Sequence, residues 1–274
     1  MRAVKLISSL TLQGVTPVFS GGTSLSAAWR LIPRFSEDID FKVVIKAPSA
    51  SAERRLRSAF RLNVIEALSG GGFVLDGTPL IGNKSQFFRT SFHYGPTFPQ
   101  APGIRPTLQV EMTFSGSHLP PVSKQVQSLL GRTLNATPEV AAVDCIDPIE
   151  TAADKLSALA WRTASRDRSA EDDDPSIVRH LHDLAALASL TASNADFPRL
   201  ALMVAQADAP RAGRSMGGRQ LLEAMLPAIT GDPAWRREYE QFVVAVSFGP
   251  RGEWIGFDQA VAACAELVER VLQQ

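Results

Sequence analysis

The chain has 274 residues, 45% hydrophobic and 20% charged, with 28 basic against 28 acidic side chains and a formal net charge of zero. These are ordinary globular values, and they exclude a disordered chain, a collagen-like chain and a coiled coil. A chain this long buries roughly 70–75% of its unfolded surface, so its core needs neither disulfides nor a structural metal.

Residues 3–13 carry a weak helical pattern. Pro17-Val18-Phe19-Ser20 reads as a short strand entering Gly21-Gly22, and Thr23 to Leu31 as a helix capped by Thr23 or Ser24. Pro33 turns the chain. Ile39 to Ile45 is a strand by its β-branched content. Residues 51–68 form an amphipathic helix, with Leu56, Phe60, Val64 and Leu68 recurring every four residues. Gly70-Gly71-Gly72 ends it, and Phe73–Leu75, Gln86–Tyr94 and Leu108–Phe114 read as strands, with a Pro/Gly-rich loop at 95–106. After Asp147-Pro148 the pattern turns helical, with helices expected at 148–165, 176–190, 197–208, 218–229, 233–246 and 257–272. An acidic linker, Glu171-Asp172-Asp173-Asp174-Pro175, interrupts them.

The expected fold class is therefore α+β: a mixed sheet with flanking helices over 1–143, then an all-helical domain over 144–274 that completes an active-site cleft. The zero net charge divides between these halves. Residues 1–143 hold 15 basic and 8 acidic side chains, a net of +7, and residues 144–274 hold 13 and 20, a net of −7. Such a split hints at a polyanionic partner for the basic half. The longest apolar runs fall short of the roughly 18–20 residues of a spanning helix, and no secretory signal is visible, so a cytoplasmic location is expected. Cys145 and Cys264 are isolated, which points to free buried thiols.

The sharpest constellation is Gly21-Gly22-Thr23-Ser24 followed by Arg34-Phe35-Ser36-Glu37-Asp38-Ile39-Asp40-Phe41. Strand alternation points Asp38 and Asp40 to one face, and Ile39 and Phe41 to the core. Two such carboxylates can converge on one or two Mg²⁺ ions, which clamp the oxygens of a phosphoryl displacement. A Gly-Gly turn between strand and helix lets a phosphate approach the backbone. No Gly-Lys-Ser/Thr follows, so this is not a Walker A loop, and it is not Gly-x-Gly-x-x-Gly either. Either half alone is weak, and Gly-Gly-Thr-Ser alone reads as a helix cap.

These residues resemble the signature of the AbiEii/AbiGii-type nucleotidyltransferase toxins, of the DNA polymerase β-like nucleotidyltransferase superfamily. The resemblance implies that Gly21, Gly22, Thr23 and Ser24 hold a nucleoside triphosphate and that Asp38 and Asp40 hold Mg²⁺. It implies a third carboxylate on a later strand, for which Glu111 stands in Val110-Glu111-Met112, as a glutamate where the family pattern has aspartate. It implies a lysine helix, matched by Ile149-Glu150-Thr151-Ala152-Ala153-Asp154-Lys155-Leu156, and an Arg-x-x-x-Asp-Leu segment, matched by Arg179 to Leu184. Lys155 and Asp183 then become catalytic candidates. Lys155, Leu159 and Arg162 fall on one helical stripe, which suits the wall of an anion-binding cleft. Outside the motif, Lys155 reads as a solvated lysine and Asp183 as the i,i+4 partner of Arg179.

What this implies is a Mg²⁺-dependent enzyme that transfers a nucleotide from an NTP to an RNA acceptor, the tRNA 3′ end by resemblance, as the toxin of a bacterial toxin–antitoxin or abortive-infection pair with its antitoxin encoded nearby. Arg54, Arg55, Arg57 and Arg61 on the 51–68 helix offer phosphate contacts, with a solvated face as the plain alternative. Two other readings stand: a small-molecule nucleotidyltransferase whose acidic 171–174 loop receives a cationic acceptor, and a non-catalytic module on the same fold. His180 and His182 lie two apart on a helix, a poor metal pair, and read as surface or capping residues.

Overall fold

The structure, a computed structural model, describes residues 1–95, 107–171 and 173–274. It separates into two compact units, Met1–Arg30 with Phe35–Asp147 and Leu31–Arg34 with Pro148–Gln274. The loop expected at 95–106 lies, beyond Gly95, outside the described residues. The two units hold 14 basic with 10 acidic and 14 basic with 18 acidic side chains, so the charge contrast by unit is +4 against −4.

The first unit runs α1 (Arg2–Ser8), β1 (Val15–Ser20), α2 (Gly21–Ala27), β2 (Asp38–Ile45), α3 (Ala50–Gly70), β3 (Val74–Gly82), β4 (Phe87–His93), β5 (Thr107–Thr113), β6 (Val122–Val126), α4 (Leu129–Thr133) and β7 (Val140–Cys145). Among the described residues the strands form one seven-stranded mixed sheet, ordered β3-β4-β5-β2-β1-β7-β6. β2 sits inside it, antiparallel to β1 and parallel to β5. β1 and β7 pair in parallel at Phe19↔Cys145 only. Pro17, two residues earlier, has no N–H to continue that ladder.

Strand alternation decides what β2 presents. Ile39, Phe41 and Val43 are buried in one core with Val4 and Ile7 of α1 and Phe60, Val64 and Leu68 of α3. The alternate positions, Asp38, Asp40 and Lys42, therefore fall on the other face. α3 starts where the Ser49 hydroxyl accepts from the Ala52 N–H at 3.2 Å. It runs two residues further than its periodicity suggests.

Three elements between 122 and 145, β6, α4 and β7, are absent from the sequence reading. The helix expected over Thr23–Leu31 is shorter, and its N-cap is Ser20. The strand expected at 73–75 runs on to Gly82 as β3, an edge strand.

The second unit holds α5 (Pro148–Ser165), α6 (Val178–Ala186), α7 (Ala188–Ala192), α8 (Phe197–Asp208), α9 (Gly218–Gly231), α10 (Pro233–Val246) and α11 (Phe257–Leu272). α5 is its axis: Leu156, Leu159 and Ala160 are fully or almost fully buried, and α5 packs on α6, α8 and α9. The helix expected at 176–190 breaks at Leu187 into α6 and α7. The buried Thr191 hydroxyl donates back to the carbonyls of Leu187 and Ala188, a bond that bends helices. Among the described residues no helix is long and apolar enough to cross a membrane. Cys145 and Cys264 are free and buried, and burial pushes their thiols up to about 11 and about 12.

Phe60 lies fully buried where α3 meets the sheet core. Phe60→Ala is expected to destabilise the protein by about 3–5 kcal/mol, read from denaturant unfolding. A loss below about 1 kcal/mol would mean that α3 does not anchor this core.

Candidate active site

In the first unit the site is built on β2. Asp38 is 4% exposed and Asp40 part-buried. Register places Asp40 beside Glu111 of β5 and Asp38 beside Gln109. Directly opposed residues of neighbouring strands share a face, so Asp40 and Glu111 do too. The Glu111 carboxylate is already engaged: its Oε1 accepts from Arg89 Nε at 2.8 Å and from Gln109 Nε2 at 2.7 Å. Val110 and Met112, its neighbours in sequence, are fully buried on the opposite side.

Gly21 explains the turn that precedes α2. Its φ is +72°, a backbone region that disfavours side chains, and a Cβ there would stand 1.9 Å from Asp40 Oδ2. Only glycine lets the strand–helix turn lie this close to the carboxylate. The Thr23 hydroxyl donates to the carbonyl of Asp38 and so ties α2 to the start of β2. Gly22, Thr23 and Ser24 are buried, and the Ser24 hydroxyl lies against the Cys145 thiol. Neither Thr23 nor Ser24 caps the helix.

In the second unit the candidate residues converge on Asp183 of α6. This carboxylate is fully buried. Its Oδ1 accepts from Arg34 Nε at 2.6 Å, and its Oδ2 from Arg34 Nη2 at 2.6 Å and from Lys155 Nζ at 2.8 Å. Burial pushes its pKa up, but Arg34 and Lys155 outweigh that and hold it well below the usual carboxylate range. Lys155 is therefore no solvated lysine: it is 7% exposed and paired. Arg162, two turns along α5, pairs with Asp174 at 2.7 Å. Burial pushes the Asp174 carboxyl up, while the Ser176 hydroxyl and Arg162 hold it at about 2.

Both histidines expected at the surface are buried. His182 Nδ1 lies 3.4 Å from Asp183 Oδ1, its ring near Tyr239 and Phe242. Burial, with Lys155, Arg179 and Arg162 nearby, pushes the His180 imidazole well below its ordinary range. α6 sits inside the unit, so its alternate positions meet core on both sides.

The four arginines of α3 do not share one surface. Arg54 and Arg55 are exposed. Arg57 is buried with Glu53, and Arg61 is buried near Ser58, the Ser85 carbonyl and the Phe114 ring. In the acidic loop, Asp173 pairs with Arg166 at 2.8 Å and Asp174 with Arg162, while Glu171 is exposed.

The residue that sequence reasoning missed is Arg34. It appears in the motif as a bare flanking arginine. Its partner lies 149 residues away in the chain.

The model of the family described as nucleotidyl transferase AbiEii toxin, type IV toxin–antitoxin system, matches residues 9–263. The chain belongs to this family. It is a nucleotidyltransferase toxin of a type IV toxin–antitoxin system. A solved structure of MenT4, a nucleotidyltransferase toxin from Mycobacterium tuberculosis H37Rv, is similar in fold, with a TM-score of 0.53 and 21% identity over 99% of this chain and 89% of that one. No curated protein matches.

Two expectations follow for AbiEii-type chemistry on this frame. Gly21→Ala forces a side chain into the Asp40 carboxylate at a positive φ, so transfer activity should fall at least about 100-fold. Unimpaired transfer by Gly21→Ala would remove Asp40 from the reacting centre. Asp183→Asn should cost about 3–5 kcal/mol at pH 7, because it strands two buried cations. The folded pKa lies below the unfolded value of about 3.9, so this stabilisation is complete above that pH and disappears as pH falls through the folded value. Unfolding curves of wild type and Asp183→Asn should stand apart at pH 7 and converge in acid well below about pH 4. Equal stability at pH 7 would contradict the ion-pair assignment.

Proposed function

We propose that this toxin transfers a nucleoside monophosphate from an NTP to the 3′ end of an RNA, a tRNA in particular, with release of pyrophosphate and with Mg²⁺ as cofactor. The observation that carries the reading is the pair Asp38 and Asp40 at alternate positions of β2, with the glycine turn pressed against Asp40.

The donor set suits Mg²⁺. Among the described residues no three His, Cys, Asp or Glu side chains form a metal-holding group. Mg²⁺ does not need one: it is usually bound by one or two carboxylates, substrate phosphates and water. Asp38 and Asp40 would hold it, with Glu111 as the neighbouring third carboxylate. Bound there, the cation supplies charge neutralisation for the transferring phosphoryl group.

The chain's own residues then have separate tasks. Gly21 and Gly22, with Thr23 and Ser24 shaping the turn behind them, leave room for the triphosphate beside β2. Lys155 donates to the triphosphate, having two further N–H groups besides the one on Asp183. Its charge opposes the negative charge that builds on the leaving pyrophosphate. Arg162 lies further along the same helix face as a weaker phosphate contact, since Asp174 shares it. Asp183 orients Lys155. The acceptor hydroxyl oxygen forms a bond to the α-phosphorus, the bond from that phosphorus to the bridging oxygen breaks, and the hydroxyl proton leaves to solvent.

RNA is favoured over a small cationic acceptor by the state of the acidic loop. Asp173 and Asp174 are committed to Arg166 and Arg162. Arg54 and Arg55 are the α3 arginines that remain exposed for phosphate contacts. The toxin acts in the cytoplasm, where RNA and NTP are present, and a cognate antitoxin encoded nearby restrains it.

Purified protein incubated with total tRNA, Mg²⁺ and each labelled NTP should label RNA. Asp38→Ala and Lys155→Ala should each lower the rate at least about 100-fold. The rate should fall steeply with salt, less steeply in Arg54→Ala/Arg55→Ala. No label with any NTP, or full activity of Asp38→Ala, would overturn the proposal.

A further inference from the structure

Arg34 is unusual in its placement. Leu31–Arg34 leads into β2, yet it belongs to the helical unit. Ile32 is buried there, the Phe248 N–H donates to the Pro33 carbonyl at 3.2 Å, and Arg34 makes an antiparallel bridge with Ser247. The Arg34 guanidinium lies 5.5 Å from the centroid of the Phe242 ring and is 3% exposed.

Its contact with Asp183 is a fork on a fork, with Nε on one oxygen and Nη2 on the other, both at 2.6 Å. A bidentate guanidinium fixes the plane of a carboxylate as well as its position. An ammonium cannot do this, because it is a point charge on a flexible four-carbon stem. Lys155 Nζ sits on the same Oδ2, at 2.8 Å, so the direction of its remaining N–H groups depends on where that oxygen is held.

Two cations also share one anion. Arg34 takes part of the Asp183 charge and so weakens its hold on Lys155. A fully buried ion cluster is an expensive way to gain stability, since apolar side chains of similar volume do as well or better. The arrangement is better explained by the geometry it imposes.

We infer that Arg34 is a positioning residue for nucleotidyl transfer, setting the ammonium of Lys155 through the carboxylate of Asp183. This rests on Lys155 meeting the triphosphate, as proposed above. Arg34 itself touches neither substrate nor metal in this account. Its effect falls on the step in which charge develops, and therefore on kcat more than on the KM for NTP.

The test uses the full chain as wild type, Arg34→Ala and Arg34→Lys, with and without guanidinium chloride at non-denaturing concentration. Three quantities are read: kcat and KM for label transfer to tRNA, the thermal midpoint, and the ¹³Cε signal of Lys155. That signal is assignable because Lys155 is the one lysine of its unit. Arg34→Ala should lower kcat at least about 30-fold with KM changed less than about 3-fold. Guanidinium should recover at least about 10-fold of that loss and return the Lys155 signal toward its wild-type position. Arg34→Lys keeps the charge but not the fork, and should stay at least about 10-fold down.

Arg34→Ala or Arg34→Lys within about 3-fold of wild-type kcat would overturn the inference. So would a lost activity that tracks a lowered thermal midpoint, with no guanidinium rescue and no displaced Lys155 signal. Wild-type protein that labels no RNA would instead count against the transfer reading. The Lys155 signal then decides on Arg34 alone: unmoved in Arg34→Ala, it overturns the inference, and displaced and guanidinium-restored, it supports it.

Discussion

The helical unit is organised around one buried charge. Asp183 draws together α5 through Lys155, α6 on which it stands, and the short segment 31–34 through Arg34. A carboxylate with no exposure to water is tolerable only with its oxygens satisfied, and here both are. The cluster also decides what α5 offers. Its apolar stripe of Leu156, Leu159 and Ala160 is buried, while Lys155 is held by its head rather than released to solvent.

The sheet unit works by a steric constraint instead. β2 buries one face, Ile39, Phe41 and Val43, in the core, so alternation specifies what both of its faces carry. One face is the hydrophobic core and the other carries Asp38 and Asp40. Gly21 then allows the β1–α2 turn to close on Asp40, and the Thr23 hydroxyl fastens α2 to Asp38. Two side-chain choices, glycine at 21 and threonine at 23, thus place a helix start beside two carboxylates. The chain belongs to a nucleotidyltransferase family, and the proposed transfer would use these acidic and phosphate-accommodating groups together.

Local patterns were readable from the sequence, and long-range partners were not. The β2 alternation, the α3 periodicity and the starts of α5, α8 and α10 all leave short-range signals. β7 leaves little, because its parallel partner β1 is remote in sequence and its own run, Val140–Cys145, is half exposed. The burial of His180 and His182 was missed because helical spacing alone cannot tell a one-sided helix from one enclosed by its unit. Arg57 and Arg61 looked like a basic face, but each long stem lies inward and meets a specific acceptor. Arg34 stands in the sequence as a flanking residue of the Arg34–Phe41 motif. Nothing local distinguishes an arginine that faces solvent from one whose carboxylate lies 149 residues ahead.

The proposed transfer depends on Asp38 and Asp40 binding a metal-loaded nucleotide. Calorimetric binding of a non-hydrolysable NTP analogue, with and without Mg²⁺, tests it without requiring the acceptor. Wild-type protein should bind the analogue at least about 10-fold more tightly when Mg²⁺ is present, and Asp40→Asn should lose that difference while keeping a native thermal midpoint. Equal binding with and without Mg²⁺ in wild type, or an undiminished Mg²⁺ effect in Asp40→Asn, would contradict the account.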